Sequence, residues 1–450
     1  MGFLYAVAGL VNLRLYWRFG HSFLERRPSL SLGLFRFAVA FTVGCHVIPS
    51  FCYMADNYLP TAFKTQNYSF FPIGLLRLVE SSPPWVIWGF MWLCLCALIT
   101  FTIGLYTQLS CILLTLSCYY FSALNNYHIG TLSFDILLVT LVLMCASPYP
   151  GDFLSLDSLR RGKPAPYKRL RPFFIQRLLQ LQLAWTYWYT ALYKITAHGN
   201  WLTQNPYCAL MHYPPIGVVR DFPMRAFLAQ HPPLCYGFGV LLVIFETLTP
   251  TLWLIPQTRI IGIGLGWAFH LMLWITLHVP TIFLFLFPPM MLLFVEPERW
   301  VHWIESRQAA QAAAGRAVLL YDGQCGFCLE SVKRLRILDL FGWVDPLDVH
   351  QQPDLPKLHP SLTPQRCERE MVLIEPTGRL SGGFDAFRQM APHLPMVWPI
   401  LPLFWLPGAR HIGRAIYRWI AANRLLWGRA QSCETNQCHL ASSRVNPSAN

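Results

Sequence analysis

The chain has 450 residues and a formal net charge of +13, with 54% hydrophobic but only 13% charged residues. Soluble domains carry about 25% charged residues, so this composition argues against a fully soluble protein. The basic excess has no stripe of interleaved aromatic residues and lies in loops beside apolar runs, so we expect no nucleic-acid partner.

Apolar runs recur between residues 29 and 295, where charged residues are sparse. A membrane-spanning helix needs about 20 mostly apolar residues. The runs predict an α-helical membrane domain over residues 29–296 with about eight transmembrane helices: 29–48, 85–106, 109–124, 132–148, 173–193, 234–255, 260–278 and 280–295. Residues 1–28 precede them as an amphipathic segment, whose first 19 residues we expect to lie in the membrane interface. No small-residue cleavage site follows them, so a cleaved signal is not expected.

Positive charge differs between alternate loops. With the N-terminus inside, the inner loops hold Arg14, Arg18, Arg26, Arg27, Arg160, Arg161, Lys163, Lys168, Arg169, Arg171 and Arg259. The outer loops hold Lys64, Arg77, Lys194, Arg220 and Arg225. Positive residues favour the cytoplasmic side, so we expect a multi-pass protein of a bacterial-type cytoplasmic membrane with its C-terminal domain in the cytoplasm. One miscounted span would reverse that last expectation.

Ionisable residues inside spans are costly and are therefore functional candidates. They are Arg36, Asp135, Arg177, Glu246, His270 and His278. His270, Trp274 and His278 share one helix face, so the histidines could bind a metal or relay protons. The alternative is that they only form hydrogen bonds between helices.

Lys194 follows an aromatic-rich helix end and precedes a polar turn that ends at Trp201. A lysine in a partly desolvated aromatic site can act as a general base. The alternative is a lysine that extends its ammonium group to the interface beside a tryptophan anchor.

Charged residues return at soluble-protein density from Glu296 onward. Residues 297–316, which include an Ala/Gln stretch at 308–314, predict a linker. The apolar run Ala317–Tyr321 then predicts a buried strand, and Cys325 and Cys328 follow where a helix over 329–340 begins.

A cysteine pair in that position suits thiol–disulfide chemistry. The positive end of the helix dipole favours the thiolate of the first cysteine, and the second lies one turn inward, where it can attack a mixed disulfide. Cys325 is therefore the expected nucleophile and Cys328 the resolving thiol. The alternative is half of a zinc site completed by Cys433, Cys438 and His439 of the polar tail 430–450.

The sequence further predicts strands over 370–375 and 379–383, joined by the turn Pro376-Thr377-Gly378, and a helix over 385–390. Together with the first strand and the cysteine helix, these elements predict an α/β thioredoxin-like domain over 317–429.

The segment Tyr321-Asp322-Gly323-x-Cys325-x-x-Cys328 resembles the signature of the DCC family of thiol–disulfide oxidoreductases. Gly383-x-Asp385-Ala386-Phe387, Tyr417, Asn423-Arg424 and Trp427-Gly428 also match that family's pattern. The resemblance implies an oxidoreductase with Cys325, Cys328 and Asp322 in its site and a protein thiol, disulfide or small thiol as partner. In conventional thioredoxins a cis-proline faces the cysteines, and that place falls near Glu370 here.

Three segments of the membrane domain resemble the vitamin K-dependent γ-carboxylase-like family, also called HTTM. They are Tyr193-Lys194 with Gly199-Asn200-Trp201, Asn125-Asn126-Tyr127-His128, and Phe269-His270. The resemblance implies Lys194 as the base that deprotonates a vitamin K-like quinone in its reduced form, with His128 as a catalytic partner. It also implies a site for a quinone or membrane lipid that includes His270, Trp201 and Asn126.

Three functions are consistent with these features. The first is a membrane-bound thiol–disulfide oxidoreductase, without a metal, whose carboxylase-like module binds a quinone or lipid. The second is a carboxylase- or epoxidase-like enzyme whose quinone is recycled by the dithiol domain. The third is a non-enzymatic transporter or assembly factor with a zinc-binding tail.

Overall fold

The computed structural model describes residues 23–60, 79, 81–125, 132–196, 201–204, 206–212, 224–276, 282–352 and 354–427. They form two compact units, which divide between Val301 and His302; the short segment Gly162–Ala165 groups with the second unit. The predicted interfacial segment 1–19 and the cysteine tail 430–450 lie outside the described residues.

The first unit is almost entirely helical. Its two short strands are β1 (Arg26–Pro28) and β2 (Leu170–Pro172). Its helices are α1 (Leu30–Cys52), α2 (Met54–Asn57), α3 (Pro84–Ile103), α4 (Thr107–Leu124), α5 (Leu132–Cys145), α6 (Leu156–Arg161), α7 (Phe174–Thr196), α8 (Pro206–His212), α9 (Met224–Gln230), α10 (Pro232–Leu254), α11 (Arg259–Thr276), α12 (Ile282–Phe285) and α13 (Phe287–Leu292).

Four of the described helices, α1, α3, α4 and α10, are long and apolar enough to cross a membrane. Helices α5 and α11 and the α12–α13 segment are apolar but shorter. Helix α7 has 23 residues but a lower hydropathy, because Gln176 and Gln180 lie in it. Both glutamine amides donate to the Leu293 carbonyl at 2.6 Å, so polar groups on α7 are buried against the end of α13.

The last predicted span is two short helices rather than one. The chain turns at Leu286, and α13 carries proline in its first turn. Proline has no backbone N–H to donate to the preceding turn, so a helix cannot continue unbroken through this position. Hydropathy alone does not reveal this break.

The segments before α1 and before α7 are joined on one side of the first unit. Strand β1 pairs antiparallel with β2, in the register Arg27 opposite Arg171. The side chain of Asp152, which is fully buried, accepts hydrogen bonds from Arg169 at 2.9 Å and Arg171 at 2.7 Å, and Arg161 lies 3.1 Å from the same carboxylate. Burial would raise the pKa of Asp152, but these arginines lower it below its ordinary value.

Two further ion pairs belong to the same side of this unit. Arg259, at the start of α11, donates to Glu296 at 2.5 Å, and Arg27 lies 3.9 Å from Glu298. At the opposite end of α7, Lys194 forms an ion pair with Glu246 in the middle of α10. Beyond them, a disulfide links Cys208 of α8 to Cys235 of α10, with 5.5 Å between the Cα atoms. The pairing of these two cysteines was not predicted from the sequence.

The second unit contains a four-stranded sheet. Its strands are β3 (Ala317–Tyr321), β4 (Val344–Asp348), β5 (Val372–Ile374) and β6 (Leu380–Gly382), in the spatial order β4-β3-β5-β6. Strand β3 pairs parallel with β4 and antiparallel with β5, and β5 pairs antiparallel with β6. Its helices are α14 (Pro297–Ala314), which starts in the first unit, α15 (Gly326–Leu338), α16 (Leu355–Leu358), α17 (Pro364–Arg369), α18 (Phe384–Met390) and α19 (Ala409–Trp427). A 3-10 segment, Pro395–Trp405, precedes α19.

The sheet separates two apolar cores because successive side chains of a strand point to opposite faces. Leu319 packs into the core that holds both Cys325 and Cys328. Its neighbour Leu320 packs into the other core, with Cys367. The predicted linker 297–316 is largely one continuous helix, α14, because alanine and glutamine favour helical conformation.

Candidate functional site

The two cysteines of the second unit lie where β3 turns into α15. Strand β3 ends at Tyr321, and Cys325 is the N-cap residue of α15, in an extended conformation with φ −87° and ψ 112°. Both Cys325 and Cys328 carry free thiols, and they are only 2% and 3% exposed. The predicted strand–dithiol–helix arrangement is therefore present, with the first sulfur at the positive end of the helix dipole.

The surroundings of Cys328 change its acidity. Burial, followed by its interaction with Cys325, raises the pKa of Cys328 to about 12. The nearby Arg424 guanidinium opposes this rise. The reduced pair therefore keeps a proton on Cys328 under ordinary conditions, and that thiol needs a base before it can act as a nucleophile.

Asp322 shapes the loop that carries the cysteines. Its carboxylate accepts a hydrogen bond from the Gln324 N–H at 3.0 Å, and its carbonyl accepts one from the Cys325 N–H at 3.3 Å. Asp322 Oδ1 also lies 3.0 Å from His350 Nε2, and its Oδ2 lies 3.8 Å from Arg424 of α19. The signature aspartate thus connects the dithiol loop to the segment after β4 and to α19.

The Gly323 N–H donates to Asp348 at 3.1 Å, at the end of β4. A Cβ added at Gly323 would lie 2.1 Å from that carboxylate, so the close approach requires glycine. Sequence reasoning missed Asp348 and His350 because β4 was not predicted. The stretch Val344–Asp348 gives little signal of a strand, because it mixes apolar and charged residues and contains Pro346.

The Glu370 side chain forms a local ion pair. Its carboxylate accepts from Arg366 at 3.1 Å and packs against Gly382. The next residue, Met371, donates its N–H to the Tyr417 hydroxyl at 2.9 Å. No cis peptide bond is present in the part of the chain that the structure describes.

The first unit contains a second candidate site, a cavity of about 310 Å³ between α7, α10, α11 and α13. Apolar and aromatic side chains form most of its wall, as is usual for small-molecule pockets. Its lining includes three of the predicted site residues, Lys194, Trp201 and His270, together with Glu246 and Tyr187.

Lys194 is held by groups from two directions. Its ammonium group donates to Glu246 Oε1 from α10 and lies 5.2 Å from the centre of the Trp201 ring. The backbone N–H of Trp201 in turn donates to the Lys194 carbonyl at 2.9 Å, which keeps the indole ring beside the lysine side chain. The lysine is thus paired with a buried carboxylate rather than extended freely to the interface.

His270 lies deeper in the same cavity. Its Nε2 forms a hydrogen bond with the Tyr187 hydroxyl, and its ring stacks on Phe287 with 4.8 Å between centroids. His270 Nδ1 and Glu246 Oε2 are buried and have no hydrogen-bond partner among the described residues. Two unsatisfied polar atoms on an otherwise apolar wall are what a ligand with polar groups would engage.

Lys194, Trp201 and His270 are thus brought together, while Cys325, Cys328 and Asp322 form a separate site in the second unit. Asn126, His128, His278, Cys433 and Cys438 lie outside the described residues, so their predicted roles stay predictions. Arg36, Asp135 and Arg177 do not line the cavity.

Two cavity residues were not assigned to the site from the sequence. Glu246 had been singled out as an ionisable residue in an apolar run, but its pairing with Lys194 depends on which faces of α7 and α10 meet. Tyr187 carried no signal, since it is one of several aromatic residues in α7.

Family comparison assigns both units. An HTTM domain matches residues 25–300, and a DCC1-like thiol-disulfide oxidoreductase domain matches residues 319–430. No curated protein and no solved structure matches the chain. The chain is a member of the HTTM family of membrane proteins that carries a DCC1-like thiol-disulfide oxidoreductase domain after its helical unit.

Proposed function

We propose that this protein is a membrane-bound thiol–disulfide oxidoreductase that cycles Cys325 and Cys328 between dithiol and disulfide. The observation that carries the proposal is the pair of free, buried thiols at the start of α15, with Cys325 as its N-cap. The parallel and antiparallel strand pairing of the second unit supports a thioredoxin-like domain.

In the proposed reaction the Cys325 thiolate attacks one sulfur of a substrate disulfide. A mixed disulfide with Cys325 forms, and the other substrate sulfur leaves as a thiolate that takes up a proton. Cys328 then loses its proton and attacks the Cys325 sulfur, which releases the second substrate thiol. Two electrons pass from the dithiol to the substrate, and a small thiol or a protein dithiol restores the reduced pair. Asp322 acts as a positioning residue for the loop.

We propose about eight membrane crossings and a cytoplasmic dithiol domain. Strand pairing of β1 with β2 supports an even number of crossings between residues 28 and 170. The Arg27–Glu298 and Arg259–Glu296 pairs support the same side for the start of α1, the start of α11 and the end of α13. The Cys208–Cys235 disulfide lies at the opposite ends of the helices, as expected for an oxidising exterior.

For the cavity of the first unit we propose a quinone or lipid as ligand. A flat apolar ring with oxygen atoms fits an aromatic wall that offers Lys194, Glu246 Oε2 and His270 Nδ1 as polar groups. A reduced quinone bound in this cavity would supply electrons for a redox reaction. Once the Lys194 ammonium has passed a proton to Glu246, the neutral amine would accept a proton from the quinol hydroxyl, and Tyr187 would hold the His270 ring in place.

A carboxylase- or epoxidase-like activity is the second candidate. The observation that favours it is the Lys194–Glu246 pair, since a lysine beside a buried carboxylate can exchange a proton with a ligand. Recycling of its quinone by the dithiol would require both sites on one side of the membrane.

Trapping of the mixed disulfide tests the redox proposal. Full-length Cys328→Ser should accumulate a reducible covalent adduct with a disulfide substrate, whereas Cys325→Ser should not, because only Cys325 attacks the substrate. Cys367→Ser is the matched control, since Cys367 is a buried cysteine in the other core. Equal adduct formation by the two active-site variants would contradict the assignment.

A further inference from the structure

The second unit contains a cavity of about 660 Å³ that the dithiol chemistry does not use. It lies between α17, strand β6, α18 and α19. Six arginines line it together with two carboxylates, Glu370 and Asp385: the arginines are Arg366, Arg379, Arg388, Arg410, Arg414 and Arg418. Six positive groups against two negative ones leave a formal excess of four positive charges on the wall.

The two carboxylates are already engaged. Asp385 accepts hydrogen bonds from Arg410 at 3.0 Å and from Arg414 at 3.0 Å, and Glu370 accepts from Arg366 at 3.1 Å. Burial would raise the pKa of the Asp385 carboxyl, but the hydrogen bonds from these two arginines hold it below its ordinary value. Asp385 therefore stays ionised and fixes both guanidinium groups.

The bonds to Asp385 use Nε and Nη2 of Arg410 and Arg414, so the Nη1 groups of both arginines are left for a ligand. Arg388 adds a third donor: its Nε is buried and has no hydrogen-bond partner among the described residues. Its guanidinium lies 5.1 Å from the Trp405 ring centre, which limits its movement. The cavity is thus a set of fixed, incompletely used guanidinium donors.

We propose that this cavity binds a phosphate-bearing anion, with Arg388, Arg410 and Arg414 as its principal donors. Guanidinium groups form paired, charge-assisted hydrogen bonds with phosphate oxygens, and fixed guanidiniums lose little freedom on binding. The site is separate from the proposed redox reaction and does not depend on it.

The phosphate could belong to a free ester or to a phospholipid headgroup, and the neighbouring surface makes the second source testable. Residues 386–433 contain six arginines and no aspartate or glutamate. Exposed apolar side chains cluster on the Pro395–Trp405 segment and α19: Trp398, Ile400, Leu403, Trp405, Leu406, Ile412, Ile416 and Trp419. Such a surface suits the acyl side of an anionic lipid.

Calorimetric titration of the full-length protein in a neutral detergent tests the proposal. The probes are inorganic phosphate and dihexanoyl phosphatidic acid, at constant ionic strength. At least one should bind, and Arg388→Gln should weaken that binding about tenfold or more, because a charge-assisted donor is lost. Arg334→Gln, an exposed arginine of α15 paired with Glu330, is the matched control and should bind as the wild type does.

The possible results distinguish a free phosphate ester from a phospholipid headgroup, or show that the cavity binds neither. Binding of inorganic phosphate supports a free phosphate ester, and binding of phosphatidic acid alone supports a lipid headgroup. Arg414→Gln provides a second variant if thermal unfolding shows that Arg388→Gln disturbs the fold. Absence of binding by both probes, or binding that neither arginine variant weakens, would overturn the proposal.

Discussion

At the scale of single residues, the two active-site thiols occupy different positions on α15. Cys325 is its N-cap residue, and Cys328 lies in its first turn. Burial and the neighbouring Cys325 raise the pKa of Cys328 to about 12. The resolving thiol is therefore protected from premature reaction until a base removes its proton.

This difference predicts unequal alkylation of the reduced protein. With limiting iodoacetamide at pH 8, fragment mass spectrometry should find the label on Cys325 well before Cys328. The Cys328 rate should keep rising between pH 9 and 12, because a raised pKa shifts thiolate formation to higher pH. In the denatured chain Cys328 should react near the ordinary cysteine pH; equal rates for both thiols in the folded protein would contradict the assignment.

The Lys194–Glu246 pair predicts coupled effects on stability. Removal of one partner leaves the other charge buried, which typically costs about 3–5 kcal/mol. Lys194→Met and Glu246→Gln should each lower the thermal unfolding temperature in detergent, and the double variant should recover part of the loss. Strictly additive losses would mean that the two side chains do not depend on each other.

The sequence allowed Lys194, Trp201 and His270 to be grouped only through family resemblance, since they lie on α7, a following turn and α11. Glu246 could be recognised as an ionisable residue that is costly to place in an apolar helix. It could not be recognised as the partner of Lys194, because their pairing depends on which faces of α7 and α10 meet. The dithiol was readable directly, since Cys325 and Cys328 lie within one helical turn of each other.

At the scale of elements, α19 is held against the sheet where Gly383 leaves room for the Tyr417 ring. Gly383 has φ +58°, and a Cβ there would lie 3.1 Å from the Tyr417 ring and from Glu370. Tyr417 also receives the Met371 N–H, so this point positions α19 beside the strand that follows Glu370.

Gly383→Ala should therefore destabilise the second unit more than Gly378→Ala. Gly378 has φ +81° with nothing within 4 Å of an added Cβ, so its variant bears only the cost of a left-handed conformation, about 1 kcal/mol. Gly383→Ala bears that cost and the contacts with Tyr417 and Glu370 as well. Differential hydrogen exchange of β5 and α19 measures the effect, and equal protection in both variants would contradict it.

Apolar runs located the long helices of the first unit to within a few residues, because hydrophobicity dominates the choice of a membrane segment. Several shorter elements were not predicted, and two features show different physical reasons. The α12–α13 break depends on proline, and β4 has the mixed sequence Val344–Asp348, whose strand conformation comes from pairing with β3.

At the scale of the whole molecule, the proposed topology makes opposite predictions for the two units. Cys325 is buried, and a bulky maleimide needs more room to reach it than iodoacetamide does, so exposed reporter cysteines are preferable for this test. Leu358→Cys in the second unit should be protected from a membrane-impermeant maleimide in intact cells, while Met224→Cys should be labelled. Both should react after permeabilisation, and the wild type supplies the background of native cysteines. Labelling of Leu358→Cys in intact cells would place the dithiol domain outside.

The ion pairs of the Asp152 carboxylate bear on how the new chain inserts into the membrane and then folds. Arg161, Arg169 and Arg171, which it holds, belong to the basic run that is expected to set membrane orientation. Orientation depends on lysines and arginines far more than on acidic residues, so these arginines would act as topogenic signals before Asp152 is packed. Once β1 and β2 pair, the same arginines would form ion pairs with Asp152 and stabilise that side of the first unit. Asp152→Asn should thus leave the insertion direction unchanged but slow maturation, which pulse-chase proteolysis of newly synthesised chains would reveal.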